Sequence, residues 1–365
     1  MKDRGPKFGT LMQLILDTFR QANASGITWM MLAVTGICAM LCLSTNASGD
    51  APIYAEDEQG YFLPRTTPSV VARSVVLVLA ASRPLEAAAL TVAASKEVWF
   101  RPEVNPQSAR KEGVETVGGQ ITLAFGAISV PMGRERQDSV HFLELLLAGG
   151  IAGTLGVLLA LVWTAGFVPT FLEAHAASVL LAKPAARWQL LLGKYFGVLT
   201  FVGCQVVLFV GSTWLALGVR TGVWDTAYLW CIPLLLLQFA VFYSFSVLLA
   251  VMTRSTVACA FGSVLFWLLG WGINYGAALA RGMSETVPHF TRILSDAAYW
   301  ISPKPIDAGL ILFNALDAQR HFEKPVAFKL IEEQAFSPSL SILSCLALTA
   351  ALLALSAHEL NATDY

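Results

Sequence analysis

Charge is scarce in this 365-residue chain. Only 13% of its residues are Asp, Glu, Lys or Arg, against about 25% in soluble domains. The net charge is −1, 56% of residues are hydrophobic, and the mean hydropathy is +0.62. The length would allow two soluble domains; this composition excludes them, and the balanced charge gives nucleic acid no electrostatic footprint. Signatures of soluble chemistry are missing as well. Gly193-Lys194 runs straight into Tyr195 with no glycine-rich turn ahead of it, so there is no phosphate loop. G-x-S-x-G, H-E-x-x-H and C-x-x-C do not occur, and the five histidines show no ligand spacing. No metal or cofactor is expected on this chain, and it is not expected to be an enzyme. The six cysteines all lie in or at the edge of apolar runs, which argues against a disulfide framework. Cys38 and Cys42, four residues apart, read as small packing residues.

What the chain does have is long apolar runs: Ile27–Thr45, Leu145–Val168, Phe196–Val219, Leu229–Met252, Thr256–Ala280 and Leu340–Ala357. A helix over Leu145–Val168 is about 36 Å long, enough to cross a hydrocarbon core of about 30 Å. The first run follows a structured segment too long for a signal peptide, so it reads as an uncleaved span. The fold class is therefore an α-helical integral membrane protein with six transmembrane helices. Ahead of the first span, Leu11, Leu14, Ile15, Phe19 and Ala22 recur at helical spacing, with Gln13, Asp17, Arg20 and Gln21 on the other face. That pattern predicts an amphipathic interfacial helix, with Leu14, Phe19 and Arg20 as its candidate site residues.

Residues 1–26 thus form a cytoplasmic N-terminus and interfacial helix, and 27–45 the first span. Residues 46–142 form an extracytoplasmic β-rich insert, with β-like runs at Ser69–Ala80, Ala88–Ala94, Val98–Phe100 and Gln120–Val130. Residues 143–280 hold spans two to five. Residues 281–339 are extracytoplasmic or re-entrant, with weakly amphipathic stretches at Ser295–Trp300 and Ile306–Ala318 broken by Pro303 and Pro305. Residues 340–365 carry the sixth span and a cytoplasmic tail. An even number of spans puts both termini on one side. Basic residues in the short segments beside the spans make that side the cytoplasm, in a cytoplasmic membrane.

The second and third spans are joined by an elbow over 170–195, which carries Glu173, Lys183, Pro184, Arg187 and Lys194. A basic, amphipathic segment between two spans can receive force from a soluble partner. Its basic residues can also meet anionic lipid. No ionisable residue occupies the middle of any run, which weakens an ion-coupled pump. The polar residues inside are uncharged. They hydrogen-bond between helices or line a path; Gln205, Gln238, Ser246 and Asn274 are the candidates for a translocation path. Small residues four apart (Gly149 and Gly153, Gly193 and Gly197, Gly272 and Gly276) permit close helix approach and are compatible with a dimer.

The elbow resembles that of permeases of the type-two ABC transporter family. The matching residues are Leu172-Glu173, Leu180-Leu181-Ala182-Lys183-Pro184, Arg187-Trp188, Leu190-Leu191 and Gly193-Lys194. The family's usual glycine near position 175 is replaced by His175 and Ala176. Thr18-Phe19-Arg20-Gln21-Ala22 is similar to the family's opening helix, and Asp364-Tyr365 to its closing pair, without the arginines that usually precede it. The insert lies outside the resemblance. The resemblance implies an exporter permease working as a dimer with a second permease copy or homologue. ATP and Mg would bind a separate ABC ATPase subunit. Glu173, Lys183, Pro184, Arg187 and Lys194 would form a coupling helix docked on that subunit. The other reading is a membrane-anchored scaffold whose extracytoplasmic domain binds a partner, although six spans exceed what an anchor needs.

Overall fold

The computed structural model describes residues 8–48, 54–56, 62–64, 119–132, 136–172, 187–282, 288–316, 318, 324–332 and 336–362. Among the described residues, six helical stretches are long and apolar enough to cross a membrane: Ile27–Ser44, Ser139–Phe171, Arg187–Thr221, Thr226–Thr253, Thr256–Gly282 and Pro338–Ala362. The chain divides into two compact units. One comprises Met1–Ala39, Glu144–Leu215 and Asp225–Tyr365, the other Met40–Leu143 and Ala216–Trp224.

In the first unit the chain opens with the amphipathic helix α1 (Phe8–Ala24). It stops where Ser25 N–H reaches Gln21 O at 3.0 Å and Gly26 takes φ +77°. Only glycine adopts that left-handed turn without strain, and α2 (Ile27–Ser44) follows at once. The buried face of α1 is Leu14, Thr18 and Ala22, one residue per turn, with Phe19 packed beside them. Arg20 is exposed.

The second span is continuous but not uniform. Helix α3 (Arg136–Leu145) leads into a π-helical stretch, Leu146–Gly156, and then α4 (Val157–Thr164) and α5 (Phe167–Phe171). Four glycines in the π-helical stretch relax its wider turn, and Thr154 Oγ1 donates to Gly149 O, five residues back, at 3.1 Å. Such stretches free backbone acceptors. Here Gln238 Nε2 donates to Gly153 O at 3.1 Å. This is how an amide at membrane depth satisfies a loosened backbone.

Helix α6 runs from Arg187 to Thr221, so the second half of the predicted elbow is the first two turns of the third span. Two residues, Arg254 in the left-handed region (φ +52°) and Ser255, separate α7 (Cys231–Thr253) from α8 (Thr256–Gly282). The segment between the last two spans is helical: α9 (His289–Ile301), α10 (Pro305–Ala315) and α11 (Val326–Glu332). Pro303 and Pro305 break it where the sequence suggests, with Pro305 at the first turn of α10, where its missing N–H is harmless. Ile306 and Leu310 of α10 are buried with Ala278 and Ile331, so this is no plain surface loop. Helix α12 (Pro338–Ala362) closes the chain and buries Cys345, Thr349, Leu352 and Ser356, the face it packs on α7.

The main core joins α1, α4 to α8 and α12 around Leu161, Leu191, Phe201, Phe239, Tyr243 and Cys259. Lipid tails are as apolar as these side chains, so close packing and hydrogen bonds hold such helices together. Several buried hydroxyls inside the spans bond to their own helix. Ser263 Oγ donates to Cys259 O at 2.6 Å, Thr349 Oγ1 to Cys345 O at 2.9 Å and Ser356 Oγ to Leu352 O at 2.7 Å. Of the paired small residues, Gly197 sits at a close approach to α1 and Gly153 is in ordinary contact with Leu235, whereas a Cβ on Gly149, Gly272 or Gly276 would meet nothing within 4 Å.

In the second unit, β1 (Asn46–Ser48), β4 (Gly119–Leu123) and β5 (Ile128–Met132) form an antiparallel sheet in the order β1-β4-β5. The apolar run Gln120–Val130 is thus a hairpin rather than one strand. Ala124, Phe125 and Gly126 all take positive φ at its turn. A separate pair, β2 (Tyr54–Glu56) and β3 (Phe62–Pro64), is also antiparallel. Ser44 Oγ accepts from Ala124 N–H at 3.0 Å, and Arg220 Nε donates to Thr45 O at 3.0 Å, tying the sheet to the ends of two spans. The predicted runs at Ser69–Ala80, Ala88–Ala94 and Val98–Phe100 lie outside the described residues.

Candidate coupling site

The elbow leaves the second span after Leu172 and joins the third at Arg187. Glu173, Lys183 and Pro184 lie outside the described residues. Its two roots are described, and one side chain unites them with α1. Lys194, two turns into α6, is 1% exposed. Its Nζ donates to Gln21 Oε1 of α1 at 2.6 Å. Gln21 Nε2 in turn donates to Thr170 Oγ1 of α5 at 2.8 Å. The Lys194 ammonium also stands 5.8 Å from the ring centroids of Phe167 and Phe171 of α5, and 3.8 Å from the Asp17 carboxylate, which is 64% exposed. A buried ammonium is stable only with such partners. One cation therefore bonds to α1 and stands against the end of the second span and the start of the third. Its ammonium is turned inward and is not part of the surface the elbow offers.

Contacts around it deepen the joint. Gly197, one turn further along α6, lies so close to α1 that a Cβ there would be 2.6 Å from Thr18 Oγ1 and 3.4 Å from Leu14 O. Thr18 satisfies its hydroxyl by donating to Leu14 O at 2.8 Å. Phe19 meets Phe201 edge-on, centroids 5.4 Å apart at 85°. On the far side, Tyr195 OH donates to Ala240 O of α7 at 3.0 Å, and its ring stacks on Tyr243 at 5.9 Å, which stacks on Phe239 at 5.2 Å. The root of the elbow at α6 is thus bonded to α1 through Lys194 and to α7 through Tyr195.

Among the predicted residues, Lys194, Leu14 and Phe19 come together here. Arg20 stays on the exposed face, and Arg187 is half-buried at the start of α6. Of the four residues read as a translocation path, Gln205 and Gln238 line different cavities among the described residues. Gln205 lines a cavity bounded by α2, α4, α6 and α7, and Gln238 lines another bounded by the π-helical stretch, α7, α8 and α10. Ser246 is buried on α7, and Asn274 donates to Pro303 O at 2.8 Å, fastening the α9–α10 turn. Sequence reasoning missed Gln21, Thr18 and Thr170. Gln21 reads as part of a solvated face, and only the opposing lysine, 173 positions away, reveals its role.

A second polar cluster was also missed. Asp307 of α10 is fully buried and accepts from Tyr299 OH and Ser341 Oγ at 2.6 and 2.5 Å. Buried Lys304 donates to Ser344 Oγ at 2.6 Å and lies 4.4 Å from the Tyr299 ring centroid. Burial raises the Asp307 carboxyl above its ordinary value and lowers the Lys304 ammonium below its own. The Arg281 guanidinium covers the other approach to Tyr299, 4.3 Å from its ring.

A family model described as "ABC-2 family transporter protein" matches residues 19–364. The chain belongs to the ABC-2 transporter family. The match runs through the first span, the insert, both roots of the elbow and the final helix, so it covers the insert that the elbow resemblance leaves aside. No curated protein matches the sequence. With six helices able to span, this ABC-2 member is a multi-pass membrane protein. Its family is typically the non-enzymatic membrane subunit of a transporter and normally works with an ATPase subunit.

Proposed function

We propose that this ABC-2 permease exports its substrate across the cytoplasmic membrane, powered by ATP and Mg bound to a separate ATPase subunit. It works beside a second permease copy or homologue, with both termini in the cytoplasm. The elbow, with Glu173, Lys183, Pro184 and Arg187, docks on the ATPase. Lys194 acts behind the docking surface, holding the roots of the elbow to α1.

The observation that carries this reading is the three-way joint at Lys194. An anchor has no need to fasten an interfacial helix to both ends of an intervening elbow with a buried cation. A machine that converts a push on the elbow into a concerted tilt of two spans does, because the push must not be lost in local bending. The Tyr195–Tyr243–Phe239 stack extends the rigid body to α7.

The test is co-expression with a candidate ATPase subunit, gentle extraction and co-purification in lipid. The reading expects a stable complex whose assembly weakens on Lys183→Glu. A folded chain that purifies alone with every candidate ATPase would refute it.

A further inference from the structure

The segment between the fifth and sixth spans is bonded to the last helix through titratable groups. Lys304, at the start of α10, donates to Ser344 Oγ of α12. Asp307, in the first turn of α10, accepts from Ser341 Oγ of the same helix. Tyr299 OH of α9 donates to the same carboxylate oxygen, Oδ2. So α9, α10 and α12 meet at one carboxyl group.

The two oxygens of Asp307 are unlike. Oδ2 takes both hydrogen bonds, whereas Oδ1 is buried with no partner among the described residues. No ammonium or guanidinium forms an ion pair with the carboxyl among them. Lys304 is committed to Ser344 and to the faces of Tyr299 and Trp300, whose ring centroids lie 4.4 and 3.9 Å from its Nζ. Arg281 of α8 pairs with Asp296 of α9 and covers Tyr299. An ionised Asp307 would bury a full charge with one oxygen bare, and a buried charge so placed is neutralised instead. Oδ1 is closed to anything the size of a water molecule. A proton needs no cavity.

We propose that Asp307 is a proton-binding site: Oδ1 holds one proton while α10 is seated on α12, and its O–H bond gives that proton to water when α10 lifts away. Acid in the solution bathing this segment then keeps it seated and rising pH frees it, whichever way the substrate moves. Burial raises the carboxyl above 3.8, against the hydrogen bonds from Ser341 and Tyr299 and the charges of Lys304 and Arg281. The seated segment therefore keeps its proton over a band of pH in which the lifted, hydrated carboxyl has lost it. One proton per event makes lifting up to about tenfold easier per pH unit across that band. Of the other groups coupled to this site, Arg281 stays charged throughout, burial pushes the Tyr299 hydroxyl up, and Cys345 lies on α12.

The test is hydrogen exchange of the α10 amides, read by mass spectrometry on the full chain in lipid nanodiscs and corrected for the intrinsic pH dependence of exchange. In the native chain, protection should fall by up to about tenfold per pH unit across one band above pH 3.8. Asp307→Asn, whose amide keeps the shape of the protonated acid, should show no such step. Lys304→Met removes a charge that disfavours the proton, so it should move the step to higher pH; a role confined to packing would leave the step in place. Infrared difference spectra of the native chain against Asp307→Asn should show the C=O band of a protonated carboxyl on the acid side of the step. A native profile without a step overturns the proposal with no variant needed. So does a step that survives Asp307→Asn, a step unmoved in Lys304→Met, or a missing carboxyl band.

Discussion

The two partners of the Lys194–Gln21 bond should be unequal in cost. Gln21→Leu leaves the ammonium in its 1% exposed position, with Asp17 at 3.8 Å and the two phenylalanine rings as its remaining partners among the described residues. Removing one partner of a buried charged pair costs about 3–5 kcal/mol; losing a hydrogen bond to a charged group costs about 1.5–3 kcal/mol. With Asp17 still near but largely solvated, about 2–3 kcal/mol is expected for Gln21→Leu. Lys194→Met removes the charge itself. Its flexible chain refills the place of the lysine stem between Phe167 and Phe171. The cation–π contacts it forfeits are near the outer limit of about 6 Å and contribute about 0.5 kcal/mol each. Lys194→Met should therefore cost about 1 kcal/mol. In the double variant the loss of Gln21 harms nothing buried, so the cycle should show a coupling of about 1–2 kcal/mol. Unfolding of the purified chain by dodecyl sulfate in mixed micelles, followed by tryptophan fluorescence, measures all three. A Lys194→Met variant as unstable as Gln21→Leu, or strictly additive costs, would refute the argument that the buried ammonium depends on Gln21.

Gly197→Ala should push α1 off α6 at a cost of about 1–3 kcal/mol. Thr18→Ala, which removes the atom 2.6 Å from the new Cβ, should rescue it; protease accessibility of α1 reads both, and absence of rescue contradicts the close approach. Asn274→Leu should cost about 1–3 kcal/mol and speed hydrogen exchange in the α9–α10 turn, because Pro303 O loses its donor; unchanged exchange would argue against that role. Burial raises the Asp307 carboxyl above 3.8, opposed by hydrogen bonds from Ser341 and Tyr299 and by the charges of Lys304 and Arg281. The folded state then binds this proton more tightly than the unfolded chain, so the stabilisation is full below pH 3.8 and lost as pH rises through the raised value. Asp307→Asn should flatten that part of a melting-temperature profile, and identical profiles would refute it.

The spans were legible because each satisfies a one-dimensional requirement: enough consecutive apolar residues to cross a hydrocarbon core. The amphipathic face of α1 was legible by its period, and the break before α10 by Pro303 and Pro305. Partnerships across the fold were not. Lys194 reads as a surface cation because it ends a basic elbow that also carries Lys183 and Arg187; its burial depends on Gln21 and Thr170, which carry no signal of their own. Asp307 and Lys304 sit in a segment too short and mixed to read as buried, and they are tolerated there only because Tyr299, Ser341 and Ser344 converge from α9 and α12. The π-helical stretch was equally hidden, since glycine-rich spans read as packing surfaces and hydropathy does not report a change of helical turn.

The most direct test of the coupling account is ATP hydrolysis by the assembled complex in lipid, compared between the native chain and Arg187→Glu. Arg187 opens the third span at the elbow's root, and reversing its charge should leave the spans folded while altering the docking surface. The account predicts that the complex still forms, that hydrolysis changes several-fold, and that it no longer responds to the transported molecule. Hydrolysis and response identical to those of the native complex would contradict the claim that the elbow carries the drive from the ATPase to the spans.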